Sequence, residues 1–185
     1  MSKILIGAGG HAAVVYEIAQ QNKVFFDAFI DPLVTGFKDL KKMAEDNFTG
    51  LYFLGIGGST IGVLMKRHLV YKQYKDSGYK SFALVSSHSY VSKSATIGQG
   101  TLISHHAVIQ AGAKIGENVI INTGAIVEHD VIVEDGCHIA PGAIVLGGAK
   151  ISSCAMVGAG AVVLPNQVVS SQNLVSSLTR YKNDH

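Results

Sequence analysis

The sequence predicts a parallel β-helix preceded by a small α/β domain, and two observations carry that prediction. From Val85 to Val175 every sixth residue is Ile or Val: Val85, Val91, Ile97, Ile103, Ile109, Ile115, Ile121, Val127, Val133, Ile139, Val145, Ile151, Val157, Val163, Val169 and Val175. Upstream, the apolar run Lys3-Ile4-Leu5-Ile6 opens into a glycine loop, Gly7-Ala8-Gly9-Gly10-His11-Ala12. Neither a helix (period 3.6) nor an alternating strand (period 2) requires a strict period of six; a coil built from short flat sides does.

In such a coil each six-residue side is a short strand that turns a corner, and three sides close one turn of 18 residues. The β-branched residue points inward and stacks on its equivalents one coil above and below. Two places earlier sits a small residue that faces the same way, because side chains alternate along a strand. It is most often alanine, as at Ala95, Ala107, Ala113, Ala125, Ala143, Ala149, Ala155 and Ala161. One side cannot stand alone. Burying one Ile or Val contributes about 1.5–3 kcal/mol, whereas ordering six backbone residues costs roughly 6–12 kcal/mol. Stacking reverses that balance, so the array is cooperative and quasi-one-dimensional.

Taken in order, residues 3–6 read as a buried parallel strand. The loop after them matches G-x-G-x-x-[GA], and an amphipathic helix follows with Val14, Val15, Ile18 and Ala19 on its apolar side. A second strand, Val24 to Ile30, ends in Asp31-Pro32. Strand, glycine loop, helix, strand and acid form the order of a dinucleotide-binding βαβ unit, whose loop and helix N-terminus suit a phosphate. The segment is short for a two-halved domain, so a mononucleotide with its sugar fits better. Residues 33–50 read as a turn and a short helix through Leu40 and Met43. Leu51–Leu54 is a third strand, closed by Gly55-Ile56-Gly57-Gly58. Ser59 is placed to cap a helix running through Leu64, Leu69 and Tyr71 to about Lys75. Gly78 stops it, and Phe82–Val85 is the next strand. Residues 86–94 (SSHSYVSKS) read as an irregular first coil and the joint between domains. After Val169 the Ser, Asn and Gln content suggests a loss of regularity. The expected division is an α/β domain over 1–83, a β-helix over 86–175 and a tail over 176–185.

Composition narrows the function classes. Fifteen Lys+Arg against 13 Asp+Glu give a net charge of +2 without a basic block, which argues against nucleic acid and membrane surfaces as partners. No apolar run approaches the ~20 residues that span a bilayer, and the N-terminus lacks a signal-peptide pattern, so the chain is expected in the cytoplasm. The two cysteines, Cys137 and Cys154, do not make a disulfide scaffold. Cys137 falls in the small inward slot and reads as a buried hydrophobe.

Titratable side chains in the coil gather between Glu128 and His138. His129 follows the inward Val127 at a corner, and the residues one coil away are the small Ala111 and Gly147. A neutral imidazole beside a carboxylate suits a general base, with Glu128 or Asp130 holding its tautomer. His138 lies half a coil further round and cannot share a side with His129 in one chain; side-by-side packing of two chains would let them face one cleft. His105 and His106, adjacent on a strand, are expected to point oppositely. No pair has the H-x3–5-H spacing of zinc ligands, so no metal site is expected.

The hexapeptide array resembles the left-handed β-helix acyltransferases. Ile6-Gly7-Ala8-Gly9-Gly10-His11 joined to that array, with Val127-Glu128-His129-Asp130 in its middle, resembles one branch of them. That branch comprises the nucleotide-sugar N-acetyltransferases of the bacillosamine and perosamine pathways and the sialic-acid O-acetyltransferase-like proteins. The resemblance implies a left-handed coil, a homotrimer and acetyl-CoA as co-substrate. It implies acetylation of the 4-amino group of a nucleotide-linked sugar, UDP-linked by first expectation, for surface glycan biosynthesis. It makes His129 the general base and Asp130 its orienting acid. His138 and Gly147 are then expected at the thioester, and Gly158 and Ala159 along the pantetheine arm. Gly9, Gly10 and His11 are expected to cradle the diphosphate, Asp31 to read the base or ribose, and Gly57 to give room for close approach. Two departures stand out. Ser176-Ser177-Leu178-Thr179-Arg180 replaces the family's G-x-P-A-[KR] segment along CoA, and Gly57-Gly58-Ser59 stands where relatives carry polar side chains. The competing readings are an O-acetyltransferase, a non-catalytic nucleotide-sugar-binding scaffold, and a metal hydrolyase on the same coil.

Overall fold

The structure, a computed structural model, describes residues 2–31, 40–43 and 48–182. Its N-terminal part is one parallel sheet of Ser2–Ile6 (β1), Ala28–Ile30 (β2), Lys41–Lys42 (β3), Gly50–Leu54 (β4) and Lys80–Ser81 (β5), with two helices, Gly10–Gln21 (α1) and Ile61–Asp76 (α2). The strand order is β3-β2-β1-β4-β5. Alternation along β1 divides the core. Leu5 packs with Phe29, Phe53 and the α1 residues Val15 and Ile18, whereas Ile4 and Ile6 pack with Tyr52, Leu54 and Tyr71 of α2. The two helices therefore cover opposite faces.

Several local expectations change. Val14 is exposed, because the buried arc of α1 is Ala12, Val15, Ile18 and Ala19. The second strand begins at Ala28 rather than Val24. Lys23 turns left-handed at φ 58° and the Val24 N–H closes the helix end on the Ala19 carbonyl. Lys41–Lys42 pairs with β2 as a strand where a helix was expected; most of that expected turn and helix lies outside the described residues. The cap of α2 is Thr60, not Ser59. Its Oγ1 accepts from Val63 N at 3.3 Å, the N–H three residues on. Leu69 is exposed, and α2 buries Leu64, Arg67 and Tyr71 instead. Only the second half of the expected strand Phe82–Val85 forms: Leu84–Val85 pairs with Leu102–Ile103 of the coil, and β5 is the separate Lys80–Ser81.

The remainder is a parallel β-solenoid with three sheets of two-residue rungs. Face I carries Leu84–Val85, Leu102–Ile103, Ile120–Ile121, His138–Ile139, Met156–Val157 and Leu174–Val175. Face II carries Tyr90–Val91, Val108–Ile109, Ile126–Val127, Ile144–Val145, Val162–Val163 and Arg180–Tyr181. Face III carries Thr96–Ile97, Lys114–Ile115, Ile132–Val133, Lys150–Ile151 and Val168–Val169. In each rung the second residue enters the core, and the slot two places earlier is filled mostly by buried alanines, with Val119, Val131 and Cys137 in the same position. Burial pushes the Cys137 thiol up to about 12, the behaviour of an inert packing group.

The coil is regular at both ends. Tyr90–Val91 registers with Val108–Ile109 despite the polar residues around it, and Arg180–Tyr181 registers with Val162–Val163, with Tyr181 packed on the core. From Gly100 to Leu178 every sixth residue turns through positive φ, between 54° and 71°. Seven of these residues are glycine, and the others include His106, Asn118, Asp130 and Cys154.

The two parts meet on face I. Leu84 and Leu102 enter the α1 cluster. The Tyr71 hydroxyl of α2 lies within 3.2 Å of both the Gln99 carbonyl and a Glu117 oxygen. Lys75 pairs with the same carboxylate at 2.6 Å. Among the described residues no helix is long and apolar enough to cross a membrane.

Candidate active site

His129 and Asp130 occupy the corner between faces II and III. The backbone there is tied into the ladder from both sides: Asp130 N donates to Ala111 O of the coil below, and Gly148 N of the coil above donates to His129 O, both at 3.0 Å. Asp130 takes the left-handed turn position, φ 59°, a conformation that aspartate tolerates better than most residues. That turn brings its carboxylate back to its neighbour, with Oδ2 2.9 Å from His129 Nδ1. In the neutral imidazole the proton then sits on Nδ1, facing the carboxylate, and Nε2 presents its lone pair. Asp130, rather than Glu128, is the acid at the ring.

Two glycines make room for this pair. A Cβ on Gly147, one coil above His129, would come within 2.6 Å of Nε2, so the ring lies against that backbone. A Cβ on Gly112, one coil below Asp130, would come within 2.6 Å of Oδ1. The side chains of His129 and Asp130 are otherwise open to solvent in one chain, 64% and 73% exposed.

His138 is placed differently. It lies on face I, 7% exposed, with Nδ1 2.6 Å from the Gly58 carbonyl and Nε2 3.1 Å from Asn122 Nδ2. Asn122 Oδ1 accepts from Thr123 N at 2.8 Å, which orients the amide. The bonds run one way: Asn122 donates to Nε2, and Nδ1–H donates to Gly58 O. Burial, outweighing the Gly58 bond and aided by the nearby Arg67 charge, pulls this imidazole down to about 4. It is a neutral ring with both nitrogens engaged.

The N-terminal loop lies close by. His11 has its pKa lowered to about 4 by burial, then by Arg67 and His138, and its buried Nε2 lacks a hydrogen-bond partner. Gly57 packs on this ring: a Cβ there would meet His11 Cβ at 3.2 Å. Gly9 is the N-cap of α1 without a side-chain bond, and Cβ atoms on Gly9 or Gly10 would meet nothing within 4 Å. The helix N-terminus therefore faces open space. Asp31 Oδ2 accepts from Ala8 N at 2.7 Å and holds the loop in shape. At the far end of the coil Gly158 packs against its own chain, where a Cβ would meet Ser177 N at 2.7 Å. The Ala159 carbonyl accepts from Leu178 N at 2.9 Å.

His105 and His106 do not point oppositely from a strand. They form a turn, with His106 at φ 59°, and their rings lie 6.5 Å apart, both near His88 of the previous coil. Among the described residues no group of three His, Cys, Asp or Glu side chains is arranged to hold a metal ion. Sequence reasoning missed Asn122, Gly58 and Arg67. Only the register of face I and its contact with the N-terminal sheet and helices bring them to His138 and His11.

The family model for the bacterial transferase hexapeptide (six repeats) matches residues 94–129 and 112–147. No curated protein matches the sequence. Among solved structures, the chain is similar to the acetyltransferase domain of PglB from Neisseria gonorrhoeae FA1090. Identity is 27%, over 99% of this chain and 92% of that chain, with a TM-score of 0.91. The same domain in complex with acetyl coenzyme A matches at 29% identity over 95% of this chain and 88% of that chain, TM-score 0.82. PerB from Caulobacter crescentus, in complex with CoA and GDP-perosamine, matches at 27% identity over 100% of this chain and 90% of that chain, TM-score 0.88.

Proposed function

We infer that this chain, whose residues 94–147 match the bacterial transferase hexapeptide family, is an acetyl-CoA-dependent N-acetyltransferase. Its acceptor is the 4-amino group of a nucleotide-linked amino-deoxy sugar. The observation that carries the reading is His129, exposed at a coil corner with Nδ1 held by Asp130 and Nε2 against Gly147. The likeness to the PglB acetyltransferase domain supports acetyl transfer from acetyl-CoA, and the likeness to PerB, bound to CoA and GDP-perosamine, supports a nucleotide-linked sugar as acceptor. UDP remains the first expectation for the nucleotide, and the GDP-perosamine bound to PerB makes GDP its direct rival.

The chemistry follows from the geometry. The sugar amine attacks the thioester carbonyl carbon, a C–N bond forms, and the carbonyl oxygen takes the negative charge. Nε2 of His129 accepts the proton that the nitrogen sheds, and Asp130 stabilises the resulting imidazolium. Collapse breaks the C–S bond, and the thiolate leaves with the proton that His129 returns. The Gly147 N–H is a suitable donor to the oxyanion. Positioning supplies most of the rate, with effective molarities of ~10⁵ M and up in good cases, and the base adds about 10²–10⁴-fold.

The β3-β2-β1-β4-β5 sheet with its glycine loop is taken as a small Rossmann-like nucleotide-sugar domain over 1–83, and the coil, taken as left-handed, as the acyltransferase domain. Gly9, Gly10 and His11 hold the diphosphate at the open N-terminus of α1, Asp31 fixes the loop and reads the ribose or base, and Gly57 admits the sugar. Gly158 and Ala159 border the pantetheine arm, on the edge of face II opposite His129. In a homotrimer His129 of one chain and His138 of the next share the cleft. A cytoplasmic location suits the two expected co-substrates, and the product enters surface glycan synthesis.

The test is a panel of UDP-, GDP- and dTDP-linked 4-amino sugars, followed by thiol release from acetyl-CoA. Release is expected with one nucleotide sugar and not with the corresponding free sugar. No release with any member would defeat the proposal.

A further inference from the structure

Buried side-chain atoms without a hydrogen-bond partner gather at the joint of the two domains: His11 Nε2, Arg67 Nη2, His68 Nδ1 and both amide atoms of Asn118. Arg67 connects them. It sits on the inner face of α2, 1% exposed, where the helix stripe would ordinarily carry an aliphatic residue. Its Nε donates to the Ile56 carbonyl at 2.9 Å, and Nη1 donates to the Asn118 carbonyl of the coil. The groups bearing on its charge are the Cys154 thiol and the Tyr71 phenol, not a carboxylate. Burial lowers its pKa to about 9, so it remains a cation at neutral pH. A buried cation with no counter-charge is costly, and packing alone does not account for it.

What the guanidinium holds is specific. Ile56 is two residues before Gly58, whose carbonyl takes the Nδ1–H of His138. Gly57, between them, is the glycine that packs on His11. The tripeptide Ile56–Gly58 is thus pinned by two side chains: Arg67, itself anchored on the coil at Asn118, and His138 on the coil. Its middle residue bears on the loop at the N-terminus of α1.

We propose that Arg67 is a positioning residue for the acceptor: it fixes the Ile56–Gly58 loop, and through it His11, at a set place against the solenoid. This rests on the reading of the N-terminal loop as the nucleotide-sugar site. Removing the guanidinium frees the acceptor side of the site, whereas the corner of His129 and Gly147, where the thioester is expected, is held by the ladder of the coil itself.

The experiment compares Arg67→Met, which keeps the bulk and loses every donor, with Arg67→Lys, which reaches one carbonyl but not both. Arg67→Met is expected to raise KM for the nucleotide sugar about tenfold or more, with KM for acetyl-CoA unchanged within about twofold. Arg67→Lys is expected to fall between wild type and Arg67→Met. A second readout needs no turnover. The Arg67 charge helps to lower the His11 and His138 imidazoles, so both should titrate at higher pH by NMR in Arg67→Met. The proposal is overturned if both KM values move together and those titrations do not change. If Arg67→Met does not fold, Arg67→Lys decides: a rise in KM for the nucleotide sugar alone supports the proposal, and equal changes for both substrates overturn it. If the wild-type protein acetylates no nucleotide sugar, the functional reading has failed, and the titrations still decide whether Arg67 governs His11.

Discussion

Gly147 and Gly124 are glycines for opposite reasons, and their substitution separates catalysis from stability. Gly124 turns at φ 65° with nothing near its missing side chain, whereas a Cβ on Gly147 would collide with His129 Nε2 at 2.6 Å. Gly124→Ala is expected to destabilise by about 1–2 kcal/mol, the cost of a left-handed L-residue, with kcat unchanged in the acetyl-transfer assay. Gly147→Ala should displace the imidazole and lower kcat/KM roughly 10²-fold. Chemical denaturation and thiol release measure the two effects on the same samples, and loss of activity in Gly124→Ala with full retention in Gly147→Ala would contradict the site. Much of this was readable in advance. His129 stands out as the coil histidine flanked by acids, Glu128 and Asp130, and the 18-residue offset names Gly147 as its neighbour. That the ring rests on Gly147, and that Asp130 rather than Glu128 turns back to Nδ1, depends on the positive-φ turn, which the inward Ile/Val periodicity does not encode.

The joint between α1, α2 and face I carries a pH dependence of its own. His11 and His138 both have a pKa of about 4, depressed mainly by burial from the ordinary 6.5. Between those values the unfolded chain binds more protons than the folded one, so stability rises with pH. The contribution is complete above about pH 6.5 and is lost as pH falls toward 4, on the order of 3 kcal/mol per imidazole at most. Urea midpoints measured from pH 7 to pH 4.5 should fall steadily, and His138→Asn should flatten the slope; an unchanged slope would mean that His138 is not buried neutral. This joint was the least legible part of the sequence. The His138–Gly58 contact spans 80 residues, and no period or motif predicts which outward residue of face I the N-terminal part covers. Strands two residues long, such as Lys41–Lys42, are recruited by their neighbour β2 rather than by propensity, which is why that segment read as a helix. The coil itself was legible because its interior slot accepts one shape. Polar residues at outward and turn positions disguised its ends, yet Val91, Val175 and Tyr181 keep the rungs in place.

One chain holds the proposed reaction in two separated pieces. His129 stands on the corner of faces II and III, exposed, while His138 lies on face I under the Gly58 loop. Face II, between the His129 corner and the Gly158–Ala159 edge, presents Val108, Ile126, Ile144 and Val162 outward, so packing along it would bring one chain's corner to its neighbour's opposite edge. If the cleft is built this way in a homotrimer, it draws His129 and His138 from different chains, and two inactive variants become complementary. His129→Ala chains retain a sound His138, and His138→Ala chains retain a sound His129. Each variant alone should be inactive, and each should elute as a trimer in light scattering. Co-expressed or refolded together in equal amounts, random assembly restores an intact pair at about one cleft in four, so roughly a quarter of wild-type kcat should return with an unchanged KM for acetyl-CoA. If both residues served one cleft from the same chain, every cleft in the mixture would carry one lesion and no activity would return. Recovered activity that disappears when the subunits cannot exchange would locate the reaction between chains, where the exposed face of His129 finds its second wall.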